Sequence, residues 1–108
     1  MATLHADPGE VVDLATWARD MPEERSKTIV KLPQMQLARI VLPAGDSWRS
    51  HQVAGPVVIH CLSGRVTCRI MGRRVTLDAG QLVFLTGDEA HDLSAETDAR
   101  VLLTIVFP

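Results

Sequence analysis

Residues 45–64, GDSWRSHQVAGPVVIHCLSG, and their echo at residues 80–91, GQLVFLTGDEAH, decide how this chain is read. Each stretch opens on a glycine, carries an apolar run and places a histidine within or beside it. Apolar runs of four to eight residues bounded by glycine and proline are the mark of buried strands. His51 and His91 stand where a β-barrel could point a side chain inward.

Working outward, the same texture extends from Ser26 to the end. Thr28–Leu32, Met35–Leu42, Val57–Leu62, Val66–Ile70, Val75–Leu77, Leu82–Leu85, His91–Ala95 and Val101–Phe107 are short and rich in Val, Ile and Leu. Between them fall Pro33, Pro43-Ala44-Gly45, Gly55-Pro56, Ser63-Gly64, Met71-Gly72, Ala79-Gly80 and Thr86-Gly87-Asp88. Short strands at this spacing predict an all-β sandwich or barrel. Residues 1–25 read as an extension to a barrel of residues 26–108. In that extension Asp7-Pro8-Gly9 is a turn, and Glu10–Leu14 is a short strand unless Asp13 caps a helical turn over Leu14–Arg19. Met21-Pro22 ends the turn, because a residue before proline avoids the helical region.

With 108 residues the chain is expected to be one domain. The net charge of −2 argues against nucleic acid as a partner. Arg49, Arg65, Arg69, Arg73 and Arg74 alternate with apolar residues and read as the solvent sides of strands. No apolar run is long enough to span a bilayer, and no signal peptide is visible at the start. Two cysteines are too few for a disulfide scaffold, so a reducing cytoplasm is expected. An even loop at Ser63-Gly64 would put Cys61 and Cys68 on one face as buried thiols. Ile40-Val41-Leu42 and Val57–Leu62 are apolar at both parities. One small core cannot easily cover both faces, so a homodimer is expected.

The two opening stretches resemble the two motifs of the cupin superfamily. The first motif asks for a glycine, five residues, His-X-His, a spacer, a glutamate, six residues and a second glycine. Gly45, His51 and Gly64 match it, whereas Val53 replaces the second histidine and Val57 replaces the glutamate. In the second motif Gly80 and His91 match, Thr86 stands in place of a proline, and the inner glycine is displaced to Gly87. The phrases H-x-x-x-G-P-V, L-S-G-R-V and A-H-D-L-S-A are similar to those of small stand-alone cupins. The resemblance implies a double-stranded β-helix, or jelly roll, with both motifs converging on one cavity.

The resemblance also implies a metal centre, since a typical cupin holds Fe, Mn, Ni or Zn with three histidines and a glutamate. Here Val53 and Val57 remove two ligands and one negative charge. His51 and His91 remain as tentative ligands, and His60 would join them only if a bulge at Gly55-Pro56 reset the strand phase. Two neutral imidazoles leave most of a divalent shell to water or ligand. The stronger expectation is an apolar pocket with a few placed polar groups. In it His51 and His91 orient a small, polar or anionic molecule between Val53, Val57, Ile59, Leu82 and Phe84. A metal-dependent enzyme of dioxygenase or isomerase type is the alternative, and a dimeric scaffold or regulatory protein is the third reading. Asp88 and Glu89 read as exposed turn acids, and Asp92 should face away from His91. Serine-hydrolase, P-loop, H-E-x-x-H and C-x-x-C patterns are absent.

Overall fold

The computed structural model describes residues 5–15, 26–49, 55–70, 72–86 and 91–107. All regular structure among them is strand: β1 Lys27–Lys31, β2 Met35–Leu42, β3 Ser47–Arg49, β4 Val57–Ser63, β5 Arg65–Ile70, β6 Arg73–Asp78, β7 Leu82–Leu85, β8 His91–Ala95 and β9 Ala99–Val106. They form two antiparallel sheets, β1-β2-β9-β4-β7 and β3-β8-β5-β6. The jelly-roll barrel expected from the sequence is the fold observed.

Alternation builds the core. Val57, Ile59 and Cys61 of β4 are buried, and so are Val101 and Leu103 of β9, while the residues between them are only partly covered. The second sheet contributes Val66, Cys68, Ile70, Leu77, Leu93 and Ala95 to the same cluster. Fully burying one such aliphatic side chain contributes roughly 1.5–3 kcal/mol, so this doubly lined interior is the main source of stability.

The chain differs from the sequence reading at three places. β3 was not expected, because Ser47-Trp48-Arg49 carries a single apolar residue; pairing of Trp48 with Leu93 brings that one into the core. Residues 5–15 contain no strand. Instead, Glu10 donates its N–H to the Asp7 carbonyl at 3.0 Å, and the Asp13 carboxylate accepts the Ala15 N–H at 2.9 Å. Cys61 and Cys68 both face the interior, as expected, but not as partners in one hairpin. Gly64 carries the chain from one sheet to the other, so β4 pairs with β7 and β9 while β5 pairs with β6 and β8. The two thiols face the core from different sheets and are free.

The N-terminal segment lies over the outer face of the five-stranded sheet. Arg39 points outward from β2 yet is fully buried, and its Nη1 donates to the Leu14 carbonyl at 3.1 Å. The Ala6 N–H meets the Ile29 carbonyl at 2.7 Å, where a bulge interrupts the β1–β2 register. This segment accounts for one of the two covered faces inferred for β2. Toward β7 the same outer face stays open: Leu82, Phe84 and Val106 are exposed.

Candidate functional site: the open end of the barrel

The two ends of the barrel are built differently. At the end holding Gly64, backbone bonds tie the turns together. Gly45 donates to the Ala95 carbonyl, Ala95 to Asp46, Gly80 to Cys61, Cys61 to Gln81, and Glu96 to Arg65. The Ala44 N–H donates to the Asp98 carboxylate at 2.8 Å. A hollow of about 310 Å³ on this side, bordered by Val41, Leu42, Pro43, Asp98, Ala99 and Arg100, is walled in part by these already bonded groups.

At the other end, where Gly72 turns β5 into β6, a hollow of about 150 Å³ opens between the sheets. Ile70, Val75, Val83 and Leu85 wall it, with Phe84, Thr86 and Arg73 at its border. Although smaller, it sits at the end where His91 begins β8, and its apolar walls belong to the interior rows. It is the candidate site.

His91 begins β8 and pairs in register with Ile70, which pairs in turn with Arg73. One transverse row across β8, β5 and β6 therefore carries His91, Ile70 and Arg73 at the edge of the hollow. With neighbouring strands about 4.8 Å apart, the Cα atoms of His91 and Arg73 lie roughly 10 Å from one another. Beyond its backbone, the His91 call lies outside the described residues, as do those for His51, Val53, Asp88 and Glu89.

The remaining site residues fall where strand parity puts them. Val57, at the position of the missing glutamate, is 1% exposed and faces inward, as does Ile59. Leu82 and Phe84 do not point into the core. They are 56% and 65% exposed, because the β4–β7 register sets Val57 opposite Leu85 and Ile59 opposite Val83. The inward residues of β7 are thus Val83 and Leu85, and Phe84 joins them in lining the hollow, whereas Leu82 does not. His60 pairs with Leu82 and Leu102 on the outer face, opposite in parity to the buried Val57, Ile59 and Cys61. Asp92 lies on the outside, where it borders a polar groove with Thr67, Arg69, Arg74, Ser94 and Glu96.

Sequence reasoning missed Arg73. It is exposed, as the sequence predicts, but its place in the strand differs from that of Arg65, Arg69 and Arg74, which face the outer side. Successive strand residues point to opposite faces, so Arg73 and Arg74 cannot share one. Val75 and Leu77 run into the core, and Arg73 is the next member of their row. That parity was readable in R-R-V-T-L.

Among the described residues no three His, Cys, Asp or Glu side chains stand together. The interior thiols are held in their neutral form. Burial pushes the Cys68 thiol up to about 11, helped by nearby Cys61, and burial followed by Asp78 raises that of Cys61. Thiolate is the form that binds metal.

The two-sheet jelly roll with an apolar hollow at one end is a small β-barrel fold. A cupin domain model matches residues 38–107, and the chain belongs to the cupin family. Among solved structures it is similar to a conserved protein of unknown function from Streptococcus pyogenes, at 21% identity and a TM-score of 0.78, covering 95% of this chain and 91% of that one. It is also similar to an RmlC-like cupin protein from Desulfovibrio desulfuricans, at 20% identity and a TM-score of 0.70 over 80% of this chain and 91% of that one. A third is the cupin domain of an XRE family transcriptional regulator from Enterobacter cloacae, at 21% identity and a TM-score of 0.66 over 79% and 99%. Such identities speak to the fold alone. No curated protein matches the chain. Among the described residues no helix is long and apolar enough to cross a membrane.

Proposed function

We propose that this cupin binds a small organic molecule at the open end of its barrel. The observation that carries the reading is the hollow walled by Ile70, Val75, Val83 and Leu85, with no acidic side chain among its described lining. Apolar walls with few polar fixtures suit an organic ligand, and Val57 in place of a carboxylate takes away the charge a cation would need. His51 and His91 are the polar fixtures expected from the sequence motifs.

The assembly that goes with this reading is a homodimer in a reducing compartment. Leu82, Phe84 and Val106 expose apolar surface together on one sheet face, and such patches favour association. The free cysteines suit the compartment.

Elemental analysis of untagged protein by plasma mass spectrometry, beside a His91→Ala variant, tests the reading. Metal well below one atom per chain, with a thermal-shift response to small organic molecules, is the expected result. Near-stoichiometric Fe, Mn, Ni or Zn that disappears in the variant would replace the binding module with a metal-dependent enzyme.

A further inference from the structure

We propose that Arg73 anchors the carboxylate of a small aliphatic acid whose apolar body fills the hollow between the sheets; this rests on the binding function proposed above and names its ligand class. Arg73 closes the inward row Leu77–Val75–Arg73 at the point where β6 leaves the β5–β6 turn. It is the one charged residue among the described lining of the hollow. Its position at the strand end leaves it exposed, so the guanidinium keeps its hydration until a ligand arrives.

Arg39, Arg65, Arg69 and Arg74 are engaged or face elsewhere. The Arg65 Nε donates to the Asp78 carboxylate at 2.7 Å on the outer face, and Arg39 holds the Leu14 carbonyl. Arg69 and Arg74 border the outer groove in the company of Asp92 and Glu96. No hydrogen bond or ion pair joins the Arg73 side chain to a described residue, and no acid is among the described lining of its hollow. A guanidinium offers a planar fork of donors that a carboxylate meets with both oxygens. An arginine beside apolar walls therefore selects an anion with a hydrocarbon body over a cation or a polyol.

Size narrows the class. A hollow of about 150 Å³ equals roughly five waters at about 30 Å³ each, which suits an acid with a short branched chain. Arg73 pairs in register with Ile70, so the two give such a ligand one face to lie along. An exposed guanidinium binds a carboxylate weakly in water, so acid and hydrocarbon contacts must act together. Uncharged analogues should lose most of the affinity.

Methyl NMR titration of the full chain with isovalerate and with isovaleramide, its uncharged analogue, tests the inference. Isovalerate is expected to shift the Ile70, Val75, Val83 and Leu85 methyl signals saturably, with the amide at least tenfold weaker. Arg73→Gln should weaken isovalerate at least tenfold and erase the preference for acid over amide, whereas Arg74→Gln on the opposite face should change neither. Equal binding of acid and amide, or undiminished binding by Arg73→Gln, would overturn the role of Arg73 and leave the binding function standing. Shifts confined to residues around the Arg69–Arg74 groove would also overturn it. Absence of mouth shifts with either probe would remove the binding function and this inference together.

Discussion

The β5–β6 hairpin joins the two ends of the barrel, and its two glycines show how differently those ends are built. Gly64 leads into it with a φ of +78°, and Gly72 turns it back with a φ of +75°. Both conformations are ones L side chains avoid. Their surroundings diverge. A Cβ on Gly64 would collide with the Asp98 carbonyl and crowd the Ala99 Cα, whereas one on Gly72 would meet nothing within 4 Å. At one end of this hairpin the turn is packed backbone against backbone and at the other it is open, although across the barrel Gly55 at that second end also lies against the Val106 backbone. The first serves stability, and the second is free to serve binding.

The largest expected effect breaks the packed end. Gly64→Ala should cost about 3 kcal/mol or more, since left-handed strain of about 1–2 kcal/mol adds to overpacking against rigid backbone. Gly72→Ala should carry only the strain, about 1–2 kcal/mol. Urea unfolding of both variants measures the gap, and equal costs would mean the two ends are alike.

A subtler effect comes from the thiols between the ends. The Cys68 thiol holds its proton up to about pH 11 in the fold, against 9.0 for a free thiol. An unfolded chain gives up that proton first, so the stability due to the neutral thiol is complete below about pH 9. It is lost as the pH rises toward 11. Urea midpoints measured from pH 8 upward should fall over that window, and Cys68→Ala should flatten the fall. A midpoint independent of pH across the window would contradict the buried, neutral thiol.

The smallest effect concerns the arginines at the two ends of the hairpin. Arg65 is paired with Asp78, but both are more than half exposed, and solvent-exposed pairs contribute little. Arg65→Ala should leave the melting temperature within error, and a clear drop would show the outer pair to be structural.

The fold was legible because period-two apolar runs and turn residues report strands directly. Met35–Leu42, Leu82–Leu85 and His91–Ala95 carry the expected bounds. β3 was not legible, since it gains its core contact from pairing with β8 rather than from its own composition. The site was read in outline. Val57 and Ile59 face inward as expected, whereas Leu82 is exposed on the outer face and Phe84, though largely exposed, lines the hollow at the open end. Parity there depends on the register of β7 against β4, which a four-residue run does not reveal. Arg73 escaped notice because its charge was read before its place in the row. Cys61 and Cys68 were rightly buried for a mistaken reason, as nothing in Ser63-Gly64 tells a hairpin from a crossing between sheets.

The central claim, that stability resides at one end and binding at the other, is tested most directly by one crossed melting experiment. Thermal unfolding of Val66→Ala, a buried residue beside Gly64, and of Arg73→Gln would be followed with and without isovalerate. The predicted result is a lowered melting temperature with an intact ligand-induced rise for Val66→Ala, and an unchanged melting temperature with no rise for Arg73→Gln. A lowered melting temperature for Arg73→Gln together with an undiminished rise would contradict it.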